Sequence, residues 1–375
     1  MQVNQDVLRG AESAVMELMA LYRKYGYTRF KMSRFEEYDL YANNKDFLVS
    51  DRIITFTDTN GKLMALKPDV TMSIIKNSAD RPDCVQKVYY NENVYRVSRR
   101  RHAFEEIMQA GLECVGKIGL YDLCEVIQLA VRSLGLISDR YVLDVSHLGF
   151  VSGILRDLPV SQAQRAQILG YIGQKNAAGI EDVCRQAELD EKQIASLVAM
   201  TRIYGPMRDT LVRLEAFDKN EQTSSALAEL NDISRVLARN GMDQNIQLDF
   251  SVVNDMNYYN GMVFAGYVEG VAEGILSGGQ YDKLLHKLGK KAGAVGFAVY
   301  LDELERLDRD ENAFDVDVLV LYDEKEDVEA LASRVRELAD SGKRVMAQRI
   351  MPPGVRYRRL ATFSQGRLIY ANADA

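Results

Sequence analysis

The sequence has few cysteines, few histidines and no long apolar run. Its four cysteines, Cys84, Cys114, Cys124 and Cys184, stand far apart with no CxxC pair. That spacing argues against a disulfide framework or zinc ribbon and makes a reducing cytoplasm the expected setting. The three histidines, His102, His147 and His286, are also scattered, and no HExxH occurs, so neither a metal site nor a cofactor is expected. No stretch approaches the ~18 apolar residues needed to span a membrane. Met1 to Asp6 carry neither the basic lead nor the apolar run of a signal peptide, so none is expected. A GxSxG elbow, a GxxxxGKS or GxxxxGKT loop and a GxGxxG turn are all missing. What remains is a chain of 375 residues, 47% hydrophobic and 27% charged, the profile of a soluble globular protein with room for two or three domains.

A net charge of −7 argues against a surface that binds nucleic acid throughout. The charge is uneven. Lys343, Arg344, Arg349, Arg356, Arg358, Arg359 and Arg367 fall in a stretch, 343–373, with no acid. A second basic knot comprises Arg96, Arg99, Arg100 and Arg101. Each reads either as a solvated face or as a phosphate, nucleic-acid or acidic-partner site.

Periodicity organises the chain. Leu8, Ala11, Val15, Leu18 and Tyr22 predict an amphipathic helix stopped at Gly26. Residues 27–30 form a short β-prone run. Residues 53–57 and 63–66 flank Asn60-Gly61 and predict a hairpin. Pro68-Asp69 opens a helix through Ile75, with proline at an early helical position. Residues 86–95 and 107–115 predict an antiparallel pair across the basic knot. Residues 121–134 predict a helix and 141–145 a strand. From about 150 to 241 the texture is helical. Strand patterns resume at 246–250, 262–268 and 294–299. A boundary near 309–313 precedes a strand at 316–321, a helix with Val328, Leu331, Val335 and Leu338 on one face, and strand patterns at Val345 and 368–370. The expected organisation is α+β. A core spans 1–312 with a helical insertion at about 150–241, and a small α/β domain spans 313–375.

Single motifs are ambiguous. Ser277-Gly278-Gly279 reads as a structural turn or as a close backbone approach. Tyr258-Tyr259 reads as core with a wet tip or as a binding pair. Glu113, among apolar neighbours on a strand, must find a partner, structural or ligand.

Their order is more specific. Leu66-Lys67-Pro68-Asp69-Val70-Thr71, then Tyr95-Arg96 through Gln109-Ala110-Gly111-Leu112-Glu113, then Asn257 to Phe264, then Gly278-Gly279-Gln280-Tyr281-Asp282 and Ala294 to Ala298 resemble, in sequence order, five signature elements of histidyl-tRNA synthetases. The resemblance implies a class II synthetase-like core, with an antiparallel sheet flanked by helices. It places a histidine pocket at Asp69, Thr71, Gln109, Glu113, Tyr259 and Tyr281. Residues 315–375 resemble the start of an anticodon-binding domain, about a third shorter.

The departures cluster on the nucleotide side. Where the family keeps residues that meet ATP or support catalysis, this chain has Ser98, Glu105, Asn254 and Glu303. Acids where cations should face a triphosphate replace attraction with repulsion. A kept amino-acid pocket beside a lost nucleotide site is similar to the regulatory subunits of ATP phosphoribosyltransferase, synthetase paralogues without aminoacylation activity. That resemblance implies a short-form catalytic partner, typically in a hetero-octamer, histidine as allosteric ligand and feedback inhibitor of the first step of histidine biosynthesis, no catalytic residue of its own, and no expected tRNA or membrane contact. Two other readings compete. A divergent active synthetase would form histidyl-adenylate, which Asn254 and Glu303 oppose. A stand-alone histidine- or nucleic-acid-binding module would rest on the basic tail alone.

Overall fold

The N-terminal periodicity folds as α1, Gly10–Lys24, burying Val15, Leu18 and Tyr22. The computed structural model describes residues 10–44, 48, 53–78, 84–97, 103–217, 220–252, 258–306 and 314–371. The chain divides into two compact units, Met1–Arg306 and Leu307–Ala375.

After α1 come β1 (Thr28–Arg29), β2 (Phe35–Glu37), α2 (Tyr38–Ala42), β3 (Thr55–Thr57) and β4 (Leu63–Leu66). β3 and β4 pair antiparallel around the expected Asn60-Gly61 turn. Gly61 has φ 81°, the left-handed conformation such a turn requires, and the Asp58 carboxylate accepts the amides of Asn60 and Lys62, each at 2.8 Å. β2 joins the other side of β4, completing a three-stranded sheet. The next element is α3, Val70–Asn77. Its start corrects one expectation: Pro68 precedes the helix, and Asp69 is the N-cap, its Oδ1 accepting the Met72 amide at 2.8 Å. A carboxylate can satisfy an otherwise orphaned helical N–H, which proline cannot.

The expected antiparallel pair is β5 (Gln86–Val97) and β6 (Phe104–Gly116), in continuous register from Gln86↔Val115 to Val97↔Phe104. Next are α4 (Leu120–Ile137) and β7 (Tyr141–His147). The helical stretch holds α5 (Leu148–Arg156), α6 (Gln162–Gly173), α7 (Ala177–Gln186), α8 (Glu191–Met200), α9 (Met207–Leu214) and α10 (Glu221–Arg239). It also holds one short strand the pattern did not show, β8 (Tyr204–Pro206). Three residues that include Gly205 and Pro206 carry no apolar alternation to read. The chain then returns as β9 (Ile246–Asp249), β10 (Met262–Val268), β11 (Leu276–Gln280), α11 (Asp282–Lys287), β12 (Gly293–Tyr300) and a 3-10 turn, Leu301–Arg306.

Nine of these strands form one sheet in the order β1-β5-β6-β12-β11-β10-β7-β9-β8. It is antiparallel except at the pairs β1–β5 and β7–β9. α1 and α4 cover one face. β11 decides between the two readings of Ser277-Gly278-Gly279: Gly278 and Gly279 lie inside a strand, in close approach to its neighbours, and not in a turn. They are glycines because neighbours press on them. A Cβ at Gly278 would come within 2.7 Å of the Phe264 ring, and one at Gly279 within 2.8 Å of the Tyr259 ring.

In the second unit, β13 (Val316–Tyr322), α12 (Val328–Asp340) and β14 (Val345–Gln348) form the expected β-α-β unit. β15 (Tyr357–Ser364) and β16 (Arg367–Tyr370) extend it to a sheet ordered β14-β13-β15-β16. β15 begins Tyr357-Arg358-Arg359, and those arginines hide its buried Ala361 and Phe363 from an apolar pattern. Val318, Val320, Leu331, Ala361 and Phe363 form the buried core of this unit. Part of the basic tail is matched locally. Arg344 pairs with Asp317 at 3.3 Å, Arg356 with Asp315 at 3.0 Å, and Arg349 with Glu324. Such exposed pairs contribute little stability, but they cancel charge that looked unopposed along the sequence.

Candidate functional site

Strand parity builds the site. On β6, Gln109 and Glu113 are four residues apart and point to the face opposite α4. Their ladder partners on β12 are Tyr300 and Gly296. A Cβ at Gly296 would overlap the Glu113 carboxylate, so the glycine makes room for the acid.

Glu113 is 2% exposed. Thr71 Oγ1, on the first turn of α3, donates to its Oε1 at 2.7 Å, and the Tyr281 hydroxyl donates to its Oε2. Burial pushes the Glu113 carboxyl up to about 8; hydrogen bonds from Tyr281 and Thr71 oppose the shift, and the nearby Asp69 adds to it. A group poised this way near neutrality suits a site that exchanges a proton or meets a cationic ligand.

Asp69 serves twice. It caps α3, and its Oδ2 faces the Arg96 guanidinium at 4.0 Å. Burial raises its pKa, and Arg96 and the amides of Met72 and Thr71 counter that. Arg96 Nε also donates to the Pro68 carbonyl at 2.8 Å. Arg96 therefore braces the start of α3 and faces the site.

Asp69, Thr71, Gln109, Glu113, Tyr259 and Tyr281 all line one cavity of about 370 Å³, and so does Arg96. Three tyrosines make an aromatic corner: ring centroids lie 4.7 Å apart for Tyr258–Tyr259 and 5.7 Å for Tyr258–Tyr281. The cavity also takes in Ser277, from the glycine motif, and Tyr90 and Tyr300, which neither motif nor resemblance pointed to. Ser277 and Tyr300 join hydroxyls at 2.8 Å. Parity on β12 was the available signal, because Tyr300 shares the face of Gly296.

The other expected positions fare differently. Glu105 lies on β6 as the ladder partner of Arg96. Glu303 lies in the 3-10 turn after β12, but its side chain is outside the described set. Ser98, Arg99, Arg100, Arg101 and Asn254 lie outside the described residues. Among the described residues no group of three or more His, Cys, Asp or Glu side chains could hold a metal ion.

A sheet of largely antiparallel strands, backed by helices and carrying a cavity lined by polar side chains on the face opposite α4, is a class II aminoacyl-tRNA synthetase-like core. The sequence profile of the histidyl-tRNA synthetase family matches residues 3–304, and the chain belongs to that family. It is 27% identical to the "ATP phosphoribosyltransferase regulatory subunit" of Clostridium acetobutylicum, over 86% of this chain and 82% of the relative. The fold is that of an "ATP phosphoribosyltransferase regulatory subunit/histidyl-tRNA synthetase" from Bacillus halodurans, with a TM-score of 0.72, 24% identity, and 90% and 88% of the two chains covered. It also resembles a chain of the "ATP phosphoribosyl transferase (HisG:HisZ) complex" from Thermotoga maritima, with a TM-score of 0.61, 20% identity, and 76% and 96% covered.

Proposed function

We propose that this chain is a non-catalytic regulatory subunit of ATP phosphoribosyltransferase. It binds histidine and, in complex with a short-form catalytic subunit in the cytoplasm, supports and feedback-inhibits the first step of histidine biosynthesis. The observation that carries this reading is the Glu113 carboxyl, held by Thr71 and Tyr281 in a cavity shared with Asp69, Gln109 and Tyr259. Histidine offers an ammonium group and two ring nitrogens. Asp69 suits the ammonium, and Glu113 with the Tyr259 and Tyr281 hydroxyls suits the ring. A buried site that pairs each polar group rejects analogues lacking them. The relatives' names support the regulatory role and the phosphoribosyltransferase partner. The substitutions Ser98, Glu105, Asn254 and Glu303 support loss of adenylation. A coupling of ~1–3 kcal/mol between subunits suffices for useful feedback.

Calorimetric titration with histidine and then ATP tests the binding half. Saturable histidine binding without ATP binding is expected, whereas conversion of both to histidyl-adenylate would return the chain to the active synthetases. Co-expression with a short-form phosphoribosyltransferase tests the partner. We expect a hetero-octamer by native mass spectrometry, with activity that histidine suppresses. Failure to co-purify would leave only a histidine-binding module.

A further inference from the structure

The turn between α6 and α7 places a lysine at the end of β9. Lys175 has φ 53°, a left-handed conformation uncommon for a residue with a side chain. Its amide still closes α6, donating to the Ile172 carbonyl at 3.0 Å. Its Nζ lies 2.7 Å from Asp249 Oδ2 and 4.6 Å from the centre of the Tyr204 ring. Asp249 is the last residue of β9 and is 4% exposed. The same carboxylate organises the turn that leaves β9. Its Oδ1 accepts the Ser251 amide at 2.8 Å, and the Asp249 carbonyl accepts the Val252 amide at 3.1 Å. Val252 lines the cavity of Glu113 and Tyr259. A second acid, Asp144 on β7, is close enough to feel the Asp249 charge; burial first and that charge second push its carboxyl up to about 6. Two acids buried on neighbouring strands need a cation, and Lys175 brings it from the helical stretch.

We infer that Lys175 is a positioning residue that ties the α6–α7 turn to the wall of the histidine cavity, through the Asp249 carboxylate and the turn that delivers Val252. The inference rests on the histidine reading of that cavity. Movement of α6 and α7 and occupancy of the cavity are then coupled, because releasing Lys175 frees the Asp249 carboxylate that fixes the turn.

The test uses the full chain. Lys175→Met leaves a buried carboxylate without its cation, so it is compared with Lys175→Met/Asp249→Asn, which removes both charges and keeps an acceptor at Oδ1. Lys175→Arg serves as the conservative rescue. Calorimetry is expected to show histidine binding about tenfold weaker in both Met variants and near the parent value in Lys175→Arg. Parent-like affinity in the double variant would make the ion pair merely structural and overturn the inference. If the parent chain itself binds no histidine, the proposed function fails, and amide exchange at Ser251 and Val252 without ligand becomes the deciding measurement. Faster exchange in the double variant supports the tie, and unchanged exchange overturns it.

Discussion

Glu113 concentrates the chemistry of the site at one residue. Its carboxyl titrates at about 8 in the folded chain, against about 4.3 when unfolded. Between those values the folded state holds a proton that the unfolded state has lost. The stability this contributes is present in full below about pH 4.3 and is lost as pH rises through about 8. Urea midpoints measured at pH 5 and pH 8 should therefore fall more steeply for the parent than for Glu113→Gln, and equal slopes would contradict the assignment. Hydrogen bonds from a ligand to the carboxylate favour its ionised form, so histidine binding near pH 7 should release a proton. Calorimetry in two buffers of different ionisation enthalpy reads that directly. Glu113→Ala or Tyr259→Phe should weaken histidine binding without unfolding the chain, and unchanged affinity in both would remove the pocket assignment. Gly296→Ala should be more damaging than its size suggests. Its methyl group meets the Glu113 carboxylate and the Leu112 carbonyl, and overpacking of this kind costs about 1–3 kcal/mol.

At the scale of elements, α3 is the hinge between folding and binding. Asp69 caps the helix and lines the cavity, so its substitutions separate the two roles. Asp69→Asn keeps a capping oxygen and should retain stability while histidine binding weakens. Asp69→Ala should lose binding and about 1 kcal/mol of stability as well. Thermal unfolding and calorimetry on the two variants check this, and equal stability in both would show that the cap contributes nothing. The sequence signalled the helix through Pro68-Asp69 but could not divide the work between them. Only the extended backbone at Asp69, with its carboxylate folded over the Met72 amide, does so. β11 shows the opposite limit. Adjacent glycines ordinarily signal a turn, yet here they mark the crowded middle of a sheet, where Phe264 and Tyr259 leave no room for a side chain.

For the whole molecule, the two compact units divide at Arg306, and every residue lining the cavity precedes that point. A chain ending at Arg306 should therefore bind histidine with the parent's affinity, read by calorimetry; loss of binding would assign the C-terminal unit a part in the site. The basic tail shows why charge counted along a sequence misleads. Arg344, Arg349 and Arg356 look unopposed within 343–373, but parallel strand pairing and the loop after β13 bring Asp317, Glu324 and Asp315 beside them.

Local physics was legible in the sequence: α1 from its apolar stripe, the β5–β6 pair from its alternation, the β3–β4 hairpin from Asn60-Gly61. These depend on neighbours a few residues apart or on one turn. The six cavity positions were legible only through the order of five family elements, because no periodicity links residue 69 to residue 281. Tertiary structure alone decided that Arg96 braces Asp69 instead of joining a solvated basic knot, that Gly296 yields its space to Glu113, and that Lys175 reaches Asp249 across 74 residues. The reason is physical: burial, close approach and the pairing of charges are properties of distances in space, and a nine-stranded sheet sets those distances without regard to separation along the chain.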